Sequence, residues 1–230
     1  MSIKRIFGRL TLALAVAGFA AIAHAEVTVA YITNGNTNEG WTLINGGAEA
    51  AAKKAGVKFI KLAAEKGELS KQLAIVEDMI TRKVSAIAIA PVDSAGIAPA
   101  VNKALAAGIP VIAVDTGITG AKITSYVATD NIKAAQVQGD WAAGQIKDGD
   151  TVIYVTGDLS QSTGRERKEG FVAGLNAKRK NVKIVEVPTT WDQTMAQNGV
   201  EAALRSNPGA KIIACAWDGG ALGAKAALLA

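Results

Sequence analysis

Residues 68–115 read ELSKQLAIVEDMITRKVSAIAIAPVDSAGIAPAVNKALAAGIPVIAVD. In the opening segment Leu73, Val76, Met79 and Ile80 share one face of a 3.6-residue period while Lys71, Glu77 and Asp78 fall elsewhere, which predicts an amphipathic helix over 68–83. A short apolar run follows at 85–90, a helix-length segment at 94–107 and a second apolar run at 110–115. Runs that are apolar throughout suit strands buried on both faces, and strand–helix–strand order makes those strands parallel.

The same alternation extends in both directions. Further strands are predicted at 27–33, 57–62, 124–128, 151–156, 182–187 and 211–216, and further helices at 41–55, 131–147, 165–177, 194–206 and from 219 onward. The composition agrees: half the residues are hydrophobic but only 5% aromatic, so Ala, Val, Ile and Leu make up most of the apolar content. A repeat at a constant offset of 125 sharpens the picture. Ala52-Lys53-Lys54 answers Ala177-Lys178-Arg179, residues 57–60 answer 182–185, Ile87-Ala88 answers Ile212-Ile213, and Asp93 answers Asp218. Equal spacing through helix, strand and strand predicts two lobes of one α/β architecture, each with a parallel sheet, joined near 128–131.

Ahead of the first strand, Lys4, Arg5 and Arg9 precede an apolar stretch over 10–23 that ends in Ala23-His24-Ala25. A basic start, an apolar run too short to span a bilayer and an A-x-A end read as a cleaved secretory signal over 1–25, which implies a periplasmic protein. The expected lobes are then 26–129 and 130–230. The leader holds three basic and no acidic residues, so the formal charge falls from +5 to about +2 on its removal, and a nucleic-acid role loses its electrostatic support. The single His leaves with it, which excludes Ser-His-Asp and His-based acid–base chemistry. Cys215, in the apolar run 212–216, reads as a buried inert thiol. The chain has no G-x-G-x-x-G, G-x-x-x-x-G-K or G-x-S-x-G motif, and no metal or cofactor is expected.

Ligands of doubly wound sheets sit beyond the carboxyl ends of the strands, so two facing lobes would form a cleft lined by the segments 34–40, 91–94, 115–116, 158–164, 189–192 and 217–218. Trp41, Trp191 and Trp217 fall at or just past strand ends. A Trp there either caps the core or stacks on a sugar-like ligand, and three together favour contact with a ligand. Asp115 ends the strand 111–115 and Arg167 lies near a helix start; an acceptor carboxylate and a forked guanidinium can hold vicinal hydroxyls. Arg165, Lys168 and Glu169 read as a solvated helix face, and Asp93 and Asp218 as helix caps. Asp115 and Asp192 could both face the cleft, although nothing in the sequence pairs them.

From residue 27 onward the chain resembles the ribose-binding-like periplasmic sugar-binding proteins of ABC importers, most specifically in 38–41, 110–115, 128–131, 165–171 and 222–224. The resemblance implies two Rossmann-like lobes with a hinge, a monosaccharide or polyol between them, and delivery to a membrane permease, with presentation to a chemoreceptor also compatible. It implies a hydroxyl-binding role for Asn38, stacking roles for Trp41 and Trp191, and polar contacts from Asp115 and Arg167. Ala90, Thr116 and Trp217 depart from the ribose-binder pattern, which points to a ligand other than ribose. The resemblance stops at Ala230 within a helix-length segment, so the second lobe is expected to be partial and the sequence a fragment. Two rival readings use the same scaffold: a sugar-sensing transcription regulator, disfavoured by the leader, and a secreted carbohydrate-active enzyme, disfavoured by the lack of His and of catalytic motifs.

Overall fold

The computed structural model describes residues 26–35 and 39–229. The leader read over 1–25 and the candidate Asn38 lie outside the described residues. Along the chain run β1 (Thr28–Thr33), α1 (Glu39–Ala55), β2 (Lys58–Ala63), α2 (Leu69–Thr81), β3 (Ala86–Ile89), α3 (Ala98–Ala106), β4 (Val111–Val114) and β5 (Ser125–Val127). Then follow α4 (Asn131–Gln145), β6 (Thr151–Val155), α5 (Ser162–Lys178), β7 (Lys183–Val187), α6 (Gln193–Ser206), β8 (Ile212–Cys215) and α7 (Asp218–Leu229). Every pairing is parallel: one sheet has the order β2-β1-β3-β4-β5 and the other, among the described residues, β7-β6-β8. The repeat read from the sequence is thus a repeat of topology, since β2-β1-β3 and β7-β6-β8 have the same order.

The core of the first lobe is a layer of large aliphatic side chains. Val76 and Met79 of α2 and Val101 of α3 pack with Ile87, Ile89 and Val111 from the strands, all at most 1% exposed. Each such side chain stabilises the fold by about 1.5–3 kcal/mol through the apolar surface it removes from water. Gln72 is the polar exception and is fully buried. Its amide nitrogen donates to Thr33 O (3.3 Å) and Ala90 O (2.9 Å), and its oxygen accepts from Val92 N (2.8 Å). One side chain thereby ties together the loops that leave β1 and β3, a burial tolerable because the amide is bonded at both ends.

In the second lobe helices meet by backbone. A Cβ at Gly139 would collide with Phe171 O, one at Gly170 with Ile132 O and one at Gly174 with Gln136 O, so α4 and α5 approach one another only because these positions lack side chains. Tyr154 of β6 stacks on Phe171 of α5 at 4.5 Å between ring centroids and fills the space beneath the pair. On the other side of the sheet Gly223 of α7 lies as closely over Gln193 O of α6.

Two helix starts differ from the expectation. Asp93 accepts from the amides of Ala95 (2.8 Å) and Gly96 (2.6 Å), spending residues 94–97 in a separate turn; α3 therefore begins at Ala98, with Pro in its first turn, where no N–H is needed. By contrast α5 begins at Ser162, three residues early, because its first amide is satisfied from the other lobe: Ser162 N donates to Ser94 Oγ at 2.9 Å. The chain passes from the first sheet to the second over residues 128–130, between β5 and α4. No helix among the described residues is long and apolar enough to cross a membrane.

Candidate functional site

The loops beyond the carboxyl ends of the strands face one another across a cavity of about 420 Å³. The first lobe lines it with Asn34, Trp41, Ile44 and Asp115, and the second with Gln161, Thr163, Arg167, Trp191, Gln193, Trp217, Asp218 and Leu222. Five of the six residues singled out from sequence therefore meet at one place: Trp41, Asp115, Arg167, Trp191 and Trp217. The sixth, Asn38, is outside the described residues.

Asp115 follows β4 in a three-residue turn. Thr116 N donates to Val114 O at 2.6 Å, and Asp115 itself has φ 62°, the strained hand of such a turn. Its backbone is held against β5 at both ends, since Asp115 N donates to Val127 O (2.9 Å) and Asp115 O accepts from Tyr126 Oη (3.0 Å). Burial raises the carboxyl above its usual range, partly offset by the Thr116 hydroxyl (3.1 Å) and by the charge of Arg167. Tyr31, beneath the site, is pushed up to about 12 by burial and by the charge of Asp115.

Arg167 is oriented on three sides. Nε donates to Asn131 Oδ1 (2.9 Å), Nη1 donates to Ala216 O (2.9 Å), and the guanidinium lies 5.6 Å from the centre of the Trp191 ring. Asn131 is itself buried, and its amide donates to Thr129 O (3.1 Å) and Glu166 Oε2 (3.2 Å). Arg167 thus takes its direction from the first residue of α4 and from the residue that follows β8.

Trp191 has φ 64°, which few side chains adopt without support. Its support is visible. The indole lies on Gly157, where a Cβ would collide with the ring, meets Trp217 edge-on at 5.4 Å, and donates Nε1–H to Gln161 Oε1 at 2.8 Å. Trp217 in turn lies against Gly219 and Gly220 at the start of α7. Trp41, the third residue of α1, is buried to 6% exposure yet borders the cavity, so it both closes the core and forms a wall. Trp141 stands in α4, away from the cavity and 63% exposed.

Asp192 caps α6, where it accepts from Met195 N at 2.7 Å, and it is not among the residues that line the cavity with Asp115. Asp218 is the first residue of α7 and borders the cavity. Sequence reasoning overlooked Gln161, Thr163, Asn34 and Gln193. Gln161 lay within a segment recognised as a cleft loop, but no pattern in Leu159-Ser160-Gln161-Ser162-Thr163 tells which side chain turns to the other lobe. Cys215 is half-buried rather than fully buried as expected, and burial pushes its thiol up to about 11. Among the described residues no cluster of His, Cys, Asp and Glu could hold a metal ion.

Several hydrogen bonds cross between the lobes. Beside the Ser94–Ser162 bond, Ser94 N donates to Ser160 O (3.2 Å), Gly117 N to Ser162 Oγ (2.8 Å) and Gln161 Nε2 to Val92 O (3.1 Å).

Comparison with known proteins agrees with this geometry. Residues 29–230 match the family model described as a periplasmic binding protein domain. The ribose import binding protein of Salmonella typhimurium is 30% identical over 228 residues, 99% of this chain and 76% of that protein. The D-ribose/D-allose-binding protein of Pseudomonas aeruginosa is 31% identical, over 90% of this chain and 69% of its own length. Among solved structures, the Caulobacter myo-inositol binding protein bound to myo-inositol superposes with a TM-score of 0.83 at 27% identity, covering 90% of this chain and 70% of that one. A Burkholderia graminis solute-binding protein in complex with D-arabinose gives 0.82 at 27% identity, over 89% and 70%. With two parallel sheets facing across a cleft and a family match over nearly its whole described length, the chain belongs to the periplasmic binding proteins, in their ribose-binding-like type I group.

Proposed function

We propose that the chain is a periplasmic solute-binding protein that captures a neutral monosaccharide or polyol between lobes 26–129 and 130–230 and hands it to an ABC permease. The observation that carries this is the convergence of indole walls from both lobes, Trp41 on one side and Trp191 with Trp217 on the other, around Asp115 and Arg167 in a cavity of about 420 Å³. Indole faces bury the C–H faces of a sugar ring while its hydroxyls reach the polar groups at the edge. A carboxylate accepts from hydroxyls and a guanidinium donates to them, so the pair suits vicinal hydroxyls and needs no charge on the ligand. The binding of ribose, allose, myo-inositol and arabinose by relatives and neighbours supports the class of ligand.

In this reading Trp41, Trp191 and Trp217 form the walls, Asp115 and Arg167 fix the hydroxyl pattern, and Asn38 completes the first-lobe side. The protein binds without turning its ligand over, acts after removal of the 1–25 leader, and takes no nucleic acid. Calorimetric titration with a panel of pentoses, hexoses and inositols is the test. Saturable binding of at least one member, lost in Arg167→Ala, is expected; a panel in which nothing binds the folded protein overturns the reading.

A further inference from the structure

Gln161 bonds at the same time to the other lobe and to an aromatic wall of the cavity. It precedes α5, is 5% exposed, and makes no capping bond to its own helix. Its amide nitrogen donates across the cleft to Val92 O at 3.1 Å, and its oxygen accepts from the indole N–H of Trp191 at 2.8 Å. The acceptor across the cleft is itself fixed. Val92 N donates to Gln72 Oε1 (2.8 Å), and Gln72, fully buried, holds Thr33 O and Ala90 O with its other end. Hydrogen bonds therefore lead from the core of the first lobe to the amide of Val92, and from the carbonyl of the same residue through Gln161 to the ring of Trp191.

The chemistry of the amide suits this place. A primary amide is both donor and acceptor on adjacent atoms, so one planar group can hold a carbonyl and an indole N–H together; a carboxylate can serve only the second and an apolar side chain neither. Trp191 needs such a tether, because its φ of 64° and its seat on Gly157 leave its direction to contacts made by the side chain.

We propose that Gln161 is a positioning residue with two separable tasks: its donor arm clasps the first lobe at Val92, and its acceptor arm sets the plane of the Trp191 indole. This rests on the proposed cleft function only for its purpose; the two bonds and their consequences exist without any sugar. The test is therefore made on the full chain with no ligand added, so that a failure to find a binding sugar leaves it intact and its own failure leaves the sugar reading intact.

Exchange of the Trp191 indole N–H with solvent is followed by NMR on chain carrying 15N-labelled tryptophan, its signal assigned by loss in Trp191→Phe. Lobe separation is measured by small-angle scattering. In Gln161→Ala both arms are gone: indole exchange is expected to speed up about fivefold, the loss of one hydrogen bond of ordinary net strength, and the radius of gyration to increase. Gln161→Glu, of the same shape, keeps an acceptor for the indole but faces Val92 O with another oxygen. It is expected to retain slow indole exchange while the lobes separate. Urea midpoints of both variants show that each lobe remains folded. The proposal is overturned if Gln161→Ala leaves indole exchange as in the parent chain, or if Gln161→Glu leaves the lobe separation unchanged.

Discussion

The two lobes share a strand order and differ in how their helices reach the sheet. In the first lobe α2 and α3 stand off on Val76, Met79 and Val101, so stability resides in the volume of side chains. In the second, α4 and α5 touch through Gly139, Gly170 and Gly174 above the Tyr154–Phe171 stack, so that helix contact depends on positions that carry no side chain. The lesson is that one topology admits opposite mutational sensitivities: the first lobe should suffer from deletion and the second from addition.

The largest effect that would break this contrast is in the first lobe. Met79 is fully buried, and Met79→Ala should cost about 2–5 kcal/mol in urea denaturation through lost burial and the cavity left behind. A loss below about 1 kcal/mol would mean that the α2 layer relaxes freely, contrary to its packing. Next comes the smallest possible addition in the second lobe. Gly174→Ala places a methyl against the backbone of α4, and a cost of about 1–3 kcal/mol is expected where helix propensity alone would give a gain. A stabilised Gly174→Ala would show that α4 and α5 can separate without penalty.

Asp115 sharpens the same comparison within the cleft, because the first lobe holds its charged group in a positive-φ turn with one hydroxyl on the carboxylate, while the second holds Arg167 by two hydrogen bonds to the guanidinium. Burial raises the carboxyl of Asp115 above its ordinary value of 3.8, so the folded chain keeps its proton to higher pH than the unfolded chain. Stability therefore falls as pH rises from that value through the higher folded-state pKa. Asp115→Asn removes this loss and leaves a residue that accepts positive φ. Its urea midpoint should exceed that of the parent at neutral pH, with the difference shrinking below pH 3.8, while sugar binding is lost. An unchanged midpoint at neutral pH would show that the charge of Arg167 already cancels the effect of burial.

The smallest effect is a control for Gly174. A Cβ at Gly46, on α1, meets nothing within 4 Å, so Gly46→Ala should stabilise by about 0.5–1 kcal/mol in the same urea assay. If it destabilised instead, open space around a helical glycine would be a poor guide in this fold.

Much of the architecture was legible because parallel strands buried on both faces leave unbroken apolar runs. All eight strands fall within a residue or so of their expected limits, from 27–33 against Thr28–Thr33 to 211–216 against Ile212–Cys215. Helix starts were less legible where the deciding partner is distant. The amide that opens α5 bonds to Ser94, 68 positions away, and no local pattern carries that information. The cleft followed the same division. Trp41, Asp115, Arg167, Trp191 and Trp217 were found because three Trp and an Asp cluster at or just past strand ends, an Arg lies near a helix start on the same side, and the family resemblance singles out four of the five. Gln161 and Thr163 passed unnoticed because an amide or hydroxyl in a loop is ordinary until its partner on the other lobe is known. The glycines of α4 and α5 carry no local signal, and the proximity of the second backbone explains them.

Gly157, beneath the Trp191 ring, gives the site a direction in mutational history. A single change can shrink Trp191 to a smaller aromatic and so alter the shape offered to a ligand. Once that has happened position 157 is free to acquire a side chain, and from then on tryptophan cannot return until glycine has been restored first. The preference of this wall can thus be lost in one step but regained only in a fixed order of two, a ratchet set by one missing methyl group.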